Sequence, residues 1–276
     1  MPLTLKRHAG TYYPSNSEAL TTLLHEAKQS SPTFLFLPHV KIQGLIIPHS
    51  PLHNTKHIIG TALNTLQANL KPETIIIISP NHYHVGDTIA VPNPKTRIET
   101  LTGTLEPDEP LITALTRSGI AKIDEKPFKV EHGVEVPLIA LSHQYPDATV
   151  TPIIAKPLDL PTCKLLASAI ARNTSHRRTL IAASSDLSHY MPPETAEKED
   201  KETLKLIEQL NAEALWKRCT MKPTLMCGTQ AVTTTILTCK IKGSTTAHTL
   251  AYTQTRHPNP NTPQTTGHAL TTIIKT

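Results

Sequence analysis

Four consecutive isoleucines, Ile75-Ile76-Ile77-Ile78, within the segment Thr74–Ser79 constrain this chain more than any other feature. A strand sends alternate side chains to opposite faces, so an unbroken apolar run needs apolar cover on both. Such strands belong to parallel sheets layered between helices. The remaining periodicities agree. Ile42–Ile47 reads as a strand, and Thr55–Leu70 as a helix with apolar residues at 58, 59, 62, 63, 66 and 70. Thr149–Ala155 and Thr179–Ala183 read as further strands. Between them, Pro161–Arg172 reads as a helix with Leu165, Leu166, Ala169 and Ile170 on one face. Gly228–Cys239 reads as a helix despite the poor helix formers Thr233-Thr234-Thr235. Thr246–Thr253 and Ala269–Lys275 read as late strands, Pro192–Lys205 as a loop feeding an exposed helix, and His257–Thr266 as a surface loop. The predicted class is α/β, a mainly parallel or mixed central sheet flanked by helices, in a single domain over residues 1–276.

Composition removes several function classes. No apolar run approaches the ~18 residues of a membrane span. The Lys6-Arg7 pair has no apolar stretch behind it, so no signal peptide is expected. Cys163, Cys219, Cys227 and Cys239 form no C-x-x-C pair, and reduced thiols in a cytoplasmic protein are the expectation. The net charge is +5, with the tightest basic clusters at Lys6-Arg7-His8 and His176-Arg177-Arg178. Aromatics make up only 4% of the chain and do not interleave with these clusters. A solvated basic surface, with no nucleic-acid partner, is the reading. The 10 glycines include no G-x-G, and neither a Walker A loop nor a G-x-S-x-G elbow is present.

Parallel sheets carry function in the loops beyond the carboxyl ends of their strands. Three predicted strands run there into candidate ligands: Ile46-Ile47-Pro48 into His49, Ile77-Ile78-Ser79-Pro80-Asn81 into His82, and Ala182-Ala183-Ser184-Ser185 into Asp186 and His189. Imidazole with carboxylate suits iron, copper or zinc better than magnesium or calcium. Each histidine could equally satisfy a loop carbonyl. Cys227 opens a predicted helix, where the backbone favours thiolate for metal binding or nucleophilic reactivity; a small buried residue at a tight turn is the alternative. In Glu131-His132-Gly133-Val134-Glu135, one helical turn could bring His132 and Glu135 together, or Glu135 could cap a helix. His53 and His57 read as surface or pocket-border residues.

Six short motifs in this order resemble the Memo family, called AmmeMemoRadiSam system protein B in prokaryotes. They are Ala9-Gly10-Thr11-Tyr12-Tyr13-Pro14, Pro48-His49, Pro80-Asn81-His82, Glu131-His132-Gly133-Val134-Glu135, Ser184-Ser185-Asp186-Leu187-Ser188-His189-Tyr190, and Cys227-Gly228. The resemblance implies a fold similar to the class III extradiol ring-cleaving dioxygenases, which use non-haem Fe(II). It implies one mononuclear copper or iron site on His49, His82 and Cys227. Asp186 and His189 would border the cavity as the catalytic pair, His189 as acid and base. His132, Glu135, Asn81 and His53 are the expected surrounding pocket. The family's prokaryotic name implies a radical-SAM protein and system protein A as partners, and the cleft implies a small molecule or peptide. Two imidazoles and a thiolate make a soft three-ligand set suited to Cu(I) and usable by Fe(II). A thiolate in place of the dioxygenase carboxylate argues against ring cleavage. The readings carried forward are a metal-dependent oxidoreductase, a class III-type dioxygenase, and a binding module without catalysis. One departure stands beside the site: members usually continue Pro-His with Ala-Gly-Tyr, whereas this chain reads Ser50-Pro51-Leu52-His53.

Overall fold

A computed structural model describes residues 2–257, 259 and 262–276. In chain order its strands are β1 (Leu3–Thr4), β2 (Lys41–Ile47), β3 (Thr74–Pro80), β4 (Ile89–Val91), β5 (Ile98–Thr100), β6 (Gly103–Leu105), β7 (Lys122–Ile123), β8 (Thr149–Ala155), β9 (Thr179–Ser184), β10 (Thr246–Arg256) and β11 (Thr265–Lys275). Its α-helices are α1 (Ser17–Gln29), α2 (Leu52–Asn69), α3 (Glu109–Arg117), α4 (Glu135–Gln144), α5 (Leu160–Asn173), α6 (Pro193–Glu208), α7 (Ala212–Met221) and α8 (Thr229–Ile241). The main sheet has the order β10-β11-β2-β9-β3-β8-β4-β7, and β1, β5 and β6 form a small second sheet. The centre, β2-β9-β3-β8, is parallel. The late strands form an antiparallel hairpin added beside β2, and β4 runs antiparallel to β8, so the sheet is mixed.

The isoleucine run behaves as its pattern requires. Ile76 and Ile78 enter one core with residues of α3, α5, α6, α7 and α8. Ile75 and Ile77 enter the other, under α1, α2 and α4. All four are fully buried. Each such side chain contributes ~1.5–3 kcal/mol of transfer free energy, which anchors β3 firmly between the two cores. Helix entries follow local chemistry. The Asn16 side chain accepts from Ala19 N at 2.8 Å, and Asp159 accepts from Thr162 N at 2.8 Å with Pro161 in the first turn.

Several boundaries differ from the sequence reading. The predicted helix Thr55–Leu70 starts a turn earlier, at Leu52, because Pro51 serves as its N-cap and Leu52 is buried. Leu165 is 61% exposed, so the buried face of α5 runs through Cys163, Leu166 and Ile170 instead. The helix expected to be exposed, α6, packs on β10 and β11 and buries Ala196, Asp200, Leu204 and Ile207. Thr233, Thr234 and Thr235 are helical and fully buried in α8, which packs on α5, α7 and the sheet. Tertiary burial there outweighs a propensity deficit of only tenths of a kcal/mol per residue. Of the expected loop His257–Thr266, Pro258, Pro260 and Asn261 lie outside the described residues. No described helix is long and apolar enough to cross a membrane.

Candidate metal centre

Strand order assembles the site. β2, β9 and β3 are adjacent and parallel, so the loops that follow them leave the same sheet edge. Those loops carry His49, then Ser185, Asp186 and His189, then Asn81 and His82. Ile47 pairs with Ser184 in register, which sets the Ser184 hydroxyl beside the His49 ring. Cys227 arrives from the turn preceding α8, which lies across β2, β3 and β9. Gly228 fits there because a Cβ would stand 2.5 Å from Ser184 O.

One side chain orients each imidazole. His49 Nδ1 lies 2.8 Å from Ser184 Oγ, and Ser184 Oγ donates its hydrogen to Gly133 O at 2.5 Å. A hydroxyl has one hydrogen, so His49 Nδ1–H must be the donor in the first bond. This turns His49 Nε2 toward Cys227 Sγ, 3.5 Å away. His82 Nδ1–H donates to Glu131 Oε1 at 2.7 Å, and the His82 backbone N–H donates to Glu131 Oε2 at 2.7 Å. Gly133 N–H adds a third bond to Glu131, at 2.8 Å. With Nδ1 engaged by Glu131, Nε2 is the nitrogen of His82 left to face Cys227 and an incoming ion. The ligand atoms of His49, His82 and Cys227 all lie within 4.8 Å of one another. Donors at ~2.0–2.3 Å around a tetrahedral ion are roughly 3.5 Å apart, the His49–Cys227 separation. The buried carboxylate and hydroxyl behind the rings are the orienting partners that metal-binding histidines require. The donor set therefore fits a copper or iron ion.

The electrostatics are those of a coupled thiolate–imidazolium cluster. Burial opposes charge on Cys227, but His49, His189 and His82 outweigh it and hold the thiol well below its usual range. Asp186 N–H donates to the sulfur at 3.3 Å. Burial also opposes charge on His82, but the Cys227 thiolate and Glu131 raise it to about 10. Against the same burial, Cys227 and Asp186 raise both His49 and His189. Glu131 falls to about 2 because its bonds to His82 and Gly133 outweigh desolvation. An ion arriving here must displace protons from imidazole nitrogens.

The other expected residues divide by placement. Asp186 is buried beside the ligands, and both its oxygens are engaged. Oδ1 accepts from the His49 backbone N–H at 3.3 Å and lies 3.0 Å from His268 Nδ1, and Oδ2 accepts from Ser50 Oγ at 2.7 Å. His189 is half-buried against Cys227, with its backbone N–H donating to Thr224 O at 2.8 Å. Asn81 is buried but holds its own loop, donating Nδ2–H to Val85 O at 2.7 Å. His132 stacks on the His82 ring at 4.7 Å and on Tyr12 at 4.6 Å, and burial pushes it down to about 3, so it is neutral. Glu135 does not meet the His132 side chain. It accepts from Arg7 N and His8 N, each at 3.1 Å, and from Tyr13 Oη at 2.7 Å, anchoring the segment that delivers Tyr12 to the stack. His53, read as a surface or pocket-border residue, is exposed on the first turn of α2, because burial of Leu52 turns the next residue outward.

Glu131, Ser184, Ser50, His268 and Tyr12 have roles that sequence reasoning missed. Glu131 and Ser184 stand inside motifs already noted, but nothing local distinguishes them from their neighbours. Ser50 belongs to the unusual Ser50-Pro51-Leu52-His53 segment, where the serine reaches Asp186 and the proline caps α2. His268 is fully buried in β11, between Asp186 and Thr255 Oγ1, the latter at 3.0 Å.

Comparison with known proteins gives the family. The family model for Memo-like proteins matches residues 5–272. A MEMO1 family protein of Methanobrevibacter smithii is 30% identical over 254 residues, covering 88% of this chain and 90% of its own length. One from Aquifex aeolicus is 28% identical over 239 residues, covering 86% of each chain. The MEMO1 family protein MK0963 of Methanopyrus kandleri is 26% identical over 258 residues, covering 88% of this chain and 89% of its own. With a match over nearly its whole length, this chain belongs to the Memo-like family.

Proposed function

We propose that this protein binds one copper or iron ion through His49 Nε2, His82 Nε2 and Cys227 Sγ, and acts in metal-dependent redox chemistry on a small molecule or peptide in the adjoining cleft. The observation that carries the reading is the convergence of these three donor atoms within 4.8 Å, with both rings aimed by buried partners. A bound copper or iron ion would supply one-electron redox chemistry. The protein's own groups supply the rest. Ser184 and Glu131 fix the ring orientations. Asp186 keeps a negative charge beside His49. His189, half-buried at the thiolate, is placed to exchange a proton with a ligand. Tyr12, His132 and His82 form a column of stacked rings beside the donors, whose outer face would receive a planar group.

The ring-cleaving reading is less well supported. Its third ligand would be a carboxylate, and Asp186 is committed to His49 N–H, Ser50 and His268. The binding-module reading draws on the ring stack, which needs no ion to receive a ligand. One experiment separates the proposals. Wild type and Cys227→Ser are loaded anaerobically with Fe(II) or Cu(I), and bound metal is counted by mass spectrometry. One ion per wild-type chain, lost in the variant, is the expected result. Equal metal content in both would remove Cys227 from the centre, and none in either would favour the binding module.

A further inference from the structure

The basic cluster His176-Arg177-Arg178 has no part in the metal centre. It lines a cavity of about 950 Å³ at the opposite end of the sheet. β2 connects the two places: Lys41 at its start lines the cavity, and His49 stands beyond its far end. Its seven residues at ~3.3 Å each set the two places roughly 20 Å apart.

Seven residues lining the cavity are Lys or Arg, and none is Asp or Glu. Two of the seven are neutralised. Arg177 Nη1 lies 2.6 Å from Asp108 Oδ2, and Arg178 Nη2 lies 2.8 Å from Glu73 Oε1. The other five, Lys41, Lys71, Arg172, Lys242 and Lys275, have no carboxylate partner among the described residues. Lys242 Nζ donates to Thr174 O at 2.6 Å and Lys275 Nζ to Lys242 O at 3.3 Å, which are neutral acceptors.

A structural role for these cations is to complement helix ends. The C-termini of α2, α5 and α8 do open on this cavity. Each helix end carries only about half a negative charge, so three offset roughly 1.5 of five charges. Roughly 3.5 positive charges are left over. The lining holds no acidic side chain that could offset them. Burial chiefly pushes Lys242 down, with smaller contributions from the like charges of Arg177 and Lys275, against an opposing pull from Cys239. The floor is apolar, from Pro38, Val40, Leu70 and Ile241, and Ile241 is 56% exposed.

We infer that this cavity binds a phosphorylated organic anion of nucleotide size, its phosphates on Lys41, Lys71, Arg172, Lys242 and Lys275 and its apolar part on the floor. Its volume is that of a small-molecule pocket. The inference is independent of the metal centre, and metal content serves as its internal control.

The test is calorimetric titration of ATP and of inorganic tripolyphosphate into wild type and into the triple variant Lys41→Gln, Lys71→Gln, Arg172→Gln. All three residues are exposed, so the variant should keep its fold, verified by unchanged melting temperature and metal content. ATP should bind wild type more tightly than tripolyphosphate does. Its affinity should fall at least roughly tenfold in the variant, and fall again as salt is raised from about 0.1 M to about 0.5 M. No ATP binding at about 1 mM, or equal affinity in variant and wild type, would overturn the site. Tripolyphosphate binding as tightly as ATP would overturn the organic ligand. A short DNA duplex binding more tightly than ATP, with loss in the same variant, would assign the face to nucleic acid and overturn the inference.

Discussion

Replacing Glu131 by Gln tests the construction of the centre without touching a donor atom. The Glu131 carboxylate is fully buried and accepts three N–H bonds, from His82 N, His82 Nδ1 and Gly133 N. Glutamine keeps the volume but has one acceptor oxygen and one NH2 group. With its oxygen placed at Oε1, two bonds survive without the carboxylate's negative charge, and the NH2 then faces the His82 backbone N–H, donor against donor. One buried N–H left unpaired costs ~1–3 kcal/mol, and losing charge assistance on the other two costs ~1–2 kcal/mol together. The sum, ~2–5 kcal/mol, corresponds to a melting temperature lowered by roughly 5–15 °C in a chain of this size. Loss of such an orienting partner also weakens metal binding by roughly 10–100-fold. Thermal melting of the metal-free protein and competition with a Cu(I) chelator measure the two effects separately. A variant that melts within about 2 °C of wild type and binds Cu(I) within about threefold of it would refute the claim that Glu131 holds His82 in place.

Three further outcomes are expected. The Cys227 thiol is held well below its usual range, whereas burial pushes Cys163 up to about 11 and Cys219 and Cys239 up to about 12. Iodoacetamide should therefore modify Cys227 alone in the native metal-free protein, at a rate nearly flat from about pH 6 to 9; a rate climbing tenfold per pH unit would mean an ordinary thiol. Because the pKa of His82 is raised to about 10 without metal, it is protonated at neutral pH, and an incoming ion must expel that proton. Affinity for Cu(I) should rise with pH between about 6 and 9, with proton release visible as buffer-dependent binding heat; a pH-independent affinity would contradict the coupled cluster. At Gly133 an added Cβ would stand 2.6 Å from Ser79 Oγ and 3.4 Å from His49 Nδ1. Gly133→Ala should cost ~1–3 kcal/mol of stability in urea denaturation and also weaken metal binding, and wild-type values for both would disprove the close packing.

What the sequence determined by itself is what backbone periodicity and local chemistry carry. The run Ile75–Ile78 could be satisfied only by apolar cover on both faces, and it became the central strand β3 with its side chains divided between two cores. A parallel sheet sends its loops to one edge, so strand-end positions sufficed to nominate His49, His82, Asp186 and His189, and the turn before α8 nominated Cys227. Helix starts were less legible: α2 begins at Leu52 because a proline needs no N–H bond at the cap and Leu52 finds cover. Tertiary structure alone decided which groups orient the ligands. Ser184 reaches His49 across 135 residues, and Glu131 reaches His82 across 49. It also turned Glu135 toward Tyr13 and away from His132, placed His268 behind Asp186, and brought together at the far end of the sheet five cations that have no carboxylate partner among the described residues. These contacts join side chains distant in sequence, and no period or propensity encodes them. Strand order and helix packing create them, because a buried hydrogen-bonding group must find its partner in whatever neighbour the fold supplies.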